Sequence, residues 1–236
     1  MIAVFVNMLT VIVGSLLGIL LRKRLKASLQ EALMKALGLC TVVIAVSSAI
    51  ATANLLCVIL CMVIGTALGE WMRIDDGIEH AGDFVKDSLF KGGSKESRFT
   101  EGFVSACILF CIGSMTIVGS LEAGINHNYS IIYAKSTMDF VSSMAFGAAM
   151  GLGVTCSAVF ILVFQGGLTL LAGVVAPVLS TEVVTEMSAV GGTILIGMAV
   201  NILGLGKERV KVANMLPAIF LPILYFPLVN WLGGLF

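Results

Sequence analysis

Apolar residues dominate the chain in runs of about the 20 residues that one membrane-crossing helix needs, and polar clusters punctuate those runs. The longest run follows Asp139: no Asp, Glu, Lys, Arg or His occurs until Glu182. That gap is too long for one crossing. Glycines interrupt it at Gly147-Ala148-Ala149-Met150-Gly151-Leu152-Gly153 and at Gln165-Gly166-Gly167. It therefore reads as two crossings joined by a very short, uncharged turn.

Taken in order, the pattern predicts eight crossings at about Ile2 to Leu21, Leu33 to Ala53, Leu55 to Met72, Gly102 to Leu121, Ser136 to Leu152, Thr155 to Leu179, Ser188 to Leu205 and Ala213 to Trp231. An amphipathic segment at 27–36 leads into the second. Between the third and fourth, Ile74, Ile78, Ala81, Val85 and Leu89 fall on one helix face opposite Asp75, Asp76, Glu79, Asp83 and Asp87. This is the pattern of an interfacial helix at about 74–90 lying on the membrane surface. Pro217, Pro222 and Pro227 are expected to kink the eighth crossing.

Charge fixes an orientation. Short loops rich in Lys and Arg stay on the cytoplasmic side. Arg22-Lys23-Arg24-Leu25-Lys26, the 73–98 segment and Lys207-Glu208-Arg209-Val210-Lys211 then all lie inside, and the acidic loop Glu182 to Glu186 lies outside. Eight crossings satisfy this with both termini outside. Seven crossings with a re-entrant piece remain an alternative. No cleavable signal peptide is expected, because the basic cluster follows the first apolar run.

Composition agrees. The 236 residues are 58% hydrophobic and 12% charged, against about 25% charged in soluble domains, and mean hydropathy is +1.07. The fold class is an all-α polytopic membrane bundle, one integral membrane domain over 1–236 whose first partner is the lipid bilayer. Zero net charge gives no basic surface for nucleic acid. The six cysteines show no disulfide or zinc spacing. Cys107, Cys111 and Met115 share one helix face, where packing outweighs a soft-metal site. No catalytic motif is present, and His80 and His127 fall in loops on opposite sides. An enzyme is not expected, nor a metal or cofactor.

Small residues four apart recur in the odd-numbered crossings, as Gly14 and Gly18, Gly65 and Gly69, Gly147 and Gly151, and Gly197 with Asn201. Such faces let helices approach closely and allow a homo-dimer. The fourth and sixth crossings also resemble each other, with Ser105-Ala106 before Gly113-Ser114-Met115-Thr116 and Ser157-Ala158 before Gly166-Gly167-Leu168-Thr169. Duplicated helical hairpins are one explanation; chance in a glycine-rich chain is the other.

The candidate pathway residues follow from polarity at depth. Gln165 is a mid-crossing amide beside Gly166 and Gly167, with Thr169 one turn on. If the helix breaks there, freed carbonyls can coordinate a cation or polar solute; otherwise Gln165 bonds a neighbouring helix. Gly113, Ser114, Met115 and Thr116 form the equivalent break in the fourth crossing. Lys135 and Asp139 are four apart and can pair on a helix, either at the outer mouth of a pathway or as a snorkelling surface pair. Asn201 is a weaker polar candidate, as is Asn214.

These motifs also carry a resemblance. Phe103-Val104-Ser105-Ala106, Phe110-Cys111-Ile112-Gly113-Ser114-Met115, Val118-Gly119-Ser120-Leu121-Glu122-Ala123-Gly124, Ala134-Lys135-Ser136 and Asp139 are among them. So are Gly151-Leu152-Gly153-Val154, Ser157-Ala158, Gln165-Gly166-Gly167-Leu168-Thr169-Leu170-Leu171-Ala172, Val190-Gly191-Gly192, Asn201-Ile202-Leu203-Gly204 and Ala213-Asn214-Met215-Leu216-Pro217-Ala218. Together they resemble the bacterial membrane family called domain of unknown function 554. Phe140 departs from it, where a glycine is expected. The resemblance implies a bacterial inner-membrane protein, often presumed to be a transporter, without a defined substrate. The functional expectation is a transporter or channel for a small solute or ion, with a path between the fourth and sixth crossings. The alternative is a regulator or assembly factor acting through 73–98.

Overall fold

A computed structural model describes residues 1–22, 27–77, 80, 99–111 and 113–233. The described elements are α1 (Ile2–Arg22), α2 (Ala27–Ala49), α3 (Leu55–Met72), α4 (Phe99–Cys111), α5 (Ser114–Ile125), α6 (Ser130–Met150), α7 (Leu152–Leu170), α8 (Ala172–Val175) and α9 (Thr181–Leu203). A 3-10 segment (Val212–Phe220) and α10 (Pro222–Gly233) follow. The fold is all-α and multi-pass.

Six helical stretches are long and apolar enough to cross a membrane, and α4 with α5 makes a seventh, bent by 58°. The remaining expected crossing, the fifth in chain order, is α6; it is 21 residues long but carries Ser130, Lys135, Ser136, Thr137, Asp139, Ser142 and Ser143, and is too polar to qualify by hydropathy. Those polar groups are largely turned inward: Lys135, Ser136, Asp139 and Ser143 are all buried. The outward faces of α1 and α3 carry Phe5, Leu9, Leu16, Leu20, Leu56, Ile59 and Val63. A protein surface this apolar suits lipid.

The long uncharged stretch is two helices, as the charge rule required. α6 ends and α7 begins across one residue, Gly151, at φ 81°. This is a left-handed conformation that a residue without Cβ adopts at little cost.

At the centre stands α9, buried over 72% of its apolar stretch against 22–44% for the other spanning helices. Helices approach it and each other through small residues. A Cβ on Gly18 would strike the Met144 carbonyl, and one on Gly69 the Asn214 carbonyl. Gly14 and Gly147 sit likewise against α6 and α1, Gly65 against Ala218, and Gly192 against α2. The expected close-approach faces are therefore real, and the glycines named here meet neighbouring helices of the same chain.

Four expectations are corrected. First, α7 runs unbroken through Gln165, Gly166 and Gly167; the helix stops only at Leu171. In lipid no water competes for the backbone, so two glycines do not melt a helix there. Second, the acidic loop at 182–186 is the first turn and a half of α9. Ser180 caps it, accepting a hydrogen bond from the Val183 N–H at 3.3 Å. Third, the eighth crossing is not one α-helix. Pro217 lies within the 3-10 segment, and Pro222 restarts the chain as α10. Fourth, the fifth crossing starts at Ser130, one and a half turns before Ser136. The fourth crossing does break where expected, with Gly113 at φ 147° starting α5. Most of the amphipathic segment at 74–90, and of the 73–98 segment with it, lies outside the described residues.

Candidate functional site

The site grows out of the parallel contact between α1 and α6. Gly14 and Gly18 bring the two backbones together, and this sets Asn7 of α1 beside Asp139 of α6. Asp139 Oδ2 accepts from Lys135 Nζ one turn earlier at 2.5 Å and from Asn7 Nδ2 at 3.2 Å. The same Asn7 amide donates to Gln165 Oε1 of α7 at 3.1 Å. One carboxylate, one ammonium and two amides thus tie three helices together. All four are buried, Asn7 and Gln165 completely. The ammonium also lies 6.0 Å from the centre of the Phe110 ring in α4, within cation–π range.

On its other side the pair faces a cleft of about 430 Å³. Lys135, Met138, Asp139 and Ser142 of α6 line one wall, Ser47 and Ser48 of α2 a second, and Thr185 and Ser188 of α9 a third. Leu109, Phe110, Gly113, Met115 and Thr116, at the break between α4 and α5, close it. The cleft lies toward the end of the bundle where α2 stops and where α6 and α9 start. Behind the break is a second cavity of about 270 Å³, lined by apolar side chains such as Phe103, Phe160, Phe164 and Phe220. Gly113 borders both.

The structure therefore brings five expected residues to one cleft: Gly113, Met115, Thr116, Lys135 and Asp139. Lys135 and Asp139 form a buried pair, not a snorkelling one. Ser114 begins α5, and its side chain lies outside the described ones. Gln165 bonds a neighbouring helix through Asn7 and lies behind the pair, off the cleft. Gly166 faces Met1 and Val4, and Gly167 has open space beside it. The Thr169 hydroxyl donates to the Gln165 carbonyl at 2.8 Å, a bond within its own helix. The expected pathway between broken fourth and sixth crossings is thus replaced by a cleft among α2, α4, α5, α6 and α9.

Asn201 is structural. Its amide donates to the Val210 carbonyl and accepts from the Val210 N–H, both at 2.8 Å, holding the loop after α9. Replacing Asn201 with Leu strands both backbone groups. It is expected to lower thermal stability in detergent by about 2–3 kcal/mol and to leave the cleft intact, as read by a melting curve.

Asn7 was the partner that sequence reasoning missed. The signal was present, since Asn7 and Thr10 are the first polar residues of an otherwise apolar run. Glu186 was missed as well. It is buried, and it accepts from the Thr52 hydroxyl at 2.6 Å, the Ala53 N–H at 2.8 Å and the Asn54 N–H at 3.0 Å.

Residues 2–227 match the family described as Protein of unknown function (DUF554). The chain belongs to this family. Two relatives are the uncharacterized membrane protein YdfK of Bacillus subtilis, 30% identical over 127 residues, and the uncharacterized protein YqgA of Escherichia coli, 29% identical over 160 residues. The aligned region covers 54% of this chain and 55% of YdfK, and 66% of this chain and 67% of YqgA. No solved structure matches. In this DUF554 protein the cleft residues and the Lys135–Asp139 pair all fall inside the family match.

Proposed function

We propose that this membrane protein moves a small polar solute or ion through the cleft between α2, α6, α9 and the α4–α5 break. One observation carries the reading: a buried ammonium–carboxylate pair borders an open, hydroxyl-lined cleft in a helix that is otherwise membrane-embedded. Ionisable groups within a bilayer are costly, and packing alone does not require two charges to border an opening. The broken helix beside them supports the reading, because interrupted helices supply polar backbone at membrane depth. The activity proposed is movement of the solute without chemical change.

The same reading places the chain in the bacterial inner membrane with eight crossings, α6 counted among them. Helix directions support this. α1 runs parallel to α6 and α4 to α7, whereas α2 runs antiparallel to α9 and α3 to the 3-10 segment, as close contacts such as Gly18 to Met144 and Gly69 to Asn214 require. Strict alternation through eight crossings produces these directions. With basic loops inside, both termini lie outside and the cleft opens outward.

The test is charge movement in proteoliposomes on a solid-supported membrane. The panel is the alkali cations, phosphate, amino acids and sugars. A current with at least one of them is expected, and Met115→Trp should abolish it by filling the rim of the cleft without touching the charge pair. Met115 is 39% exposed, so the larger ring has room to fold. Currents no greater than those of protein-free liposomes across the panel would overturn the reading.

A further inference from the structure

We propose that Asp139 is the binding site of an alkali-metal cation, for which the Lys135 ammonium is a built-in competitor. The inference rests on the transport reading and names the ion class for the same site.

Three independent features point to it. First, the carboxylate is half used. Both hydrogen bonds to it end on Oδ2, and among the described residues no donor reaches Oδ1, while Asp139 lines the cleft. Second, the cleft is lined with oxygen whose hydrogens are already spent. Thr116 donates to the Phe110 carbonyl at 3.1 Å, Thr185 to Thr181 at 2.8 Å and Ser188 to Val184 at 2.9 Å. A hydroxyl whose hydrogen is already given to a backbone carbonyl has only lone pairs left to offer. Lone pairs suit a hard cation.

Third, the polar network around the carboxylate is incomplete. Asn7 Oδ1 and Gln165 Nε2 are buried and unpartnered. Their amide orientations are fixed by the neighbours. Turning Asn7 over would set its oxygen against the Asp139 carboxylate. Turning Gln165 over would set two NH₂ groups together. One acceptor and one donor are thus left over beside the pair. Neither residue lines the cleft, and the Asn7 oxygen left over is a further lone-pair group next to the carboxylate.

The charge balance selects a monovalent ion. A divalent cation draws on several carboxylates, and among the described residues Asp139 is the one acid lining the cleft. An alkali cation replaces an ammonium of equal charge. Binding therefore moves Lys135 off Oδ2 without changing the charge beside the carboxylate, and the lysine is free to swing into the cleft.

The experiment is equilibrium binding of radiolabelled sodium to the full-length protein in detergent, with ionic strength held by choline chloride. Saturable binding is expected. Lys135→Met removes the competitor and should tighten it about tenfold, since the occupied pair is the state that cannot bind. The charge-neutral double variant Lys135→Met/Asp139→Asn, which leaves no lone charge to prevent folding, should bind no sodium. Equal sodium binding by Lys135→Met and the double variant would overturn the proposal. So would the lack of saturable binding in both the unmodified protein and Lys135→Met, or a response to pH alone. Sodium binding without any current on the solid-supported membrane would refute the transport reading and leave the cation site standing. Current with no sodium binding would do the reverse.

Discussion

Asp139→Asn and Lys135→Met are each expected to lower stability by about 3–5 kcal/mol, and the double variant by less than either. The reason is desolvation. The two charges are buried together at the contact of α1 with α6, and each compensates the other. Removing one leaves the other as a lone charge in a low-dielectric interior. Removing both leaves a neutral site that still holds Asn7, since the amide introduced at position 139 keeps a carbonyl to accept from the Asn7 amide. Thermal melts of the four proteins in one detergent form the cycle. A double variant that costs the sum of the singles would show that the two charges do not compensate each other. The same cycle separates stability from function, because the double variant keeps the fold yet loses the charges that border the cleft.

Much of this was readable in the sequence where the information is local. The spacing of Lys135 and Asp139 specifies a pair, and Gly113 specifies a break, because both depend on neighbours in the chain. The split of the uncharged stretch followed from its length, its glycines and the loop charges. Three failures have separate causes. The Asn7 to Asp139 bond joins residues 132 apart, and in sequence Asn7 is no different from Asn201, which only ties down a loop. Gly166 and Gly167 were read by their behaviour in water, where exposed backbone competes for hydrogen bonds; in a bilayer that competition is absent. The cleft itself depends on which crossings are neighbours. α2 against α9 and α1 against α6 are pairings that an apolar pattern does not encode, since every lipid-facing helix carries the same pattern.

Glu186 shows how a charge misleads when its partner is backbone. An acid four residues after Glu182, beside a run of polar residues, reads as a solvated loop. In the fold it is a buried plug on the α2–α3 turn. It takes the Ala53 and Asn54 N–H groups on one carboxylate oxygen and the Thr52 hydroxyl on the other. Asn54 in turn caps α3 by accepting from the Cys57 N–H at 3.1 Å. Glu186→Leu leaves the Ala53 N–H and the Thr52 hydroxyl without their acceptor at a tight turn, while the Asn54 N–H keeps the Thr52 hydroxyl oxygen at 3.1 Å; each stranded group costs about 1–3 kcal/mol. A loss of about 2–6 kcal/mol is expected by that arithmetic, its upper end enough to unfold a marginal protein. Glu186→Gln keeps one carbonyl oxygen for the two N–H groups, and the Thr52 hydroxyl can turn to accept from the new amide. That variant is expected to lose only about 1–2 kcal/mol. Melting temperatures of the two variants in detergent decide it. If Leu and Gln prove equally mild, Glu186 is not what fixes the turn, and the position of Ser47 and Ser48 on the cleft wall depends on α2 packing against α9 alone.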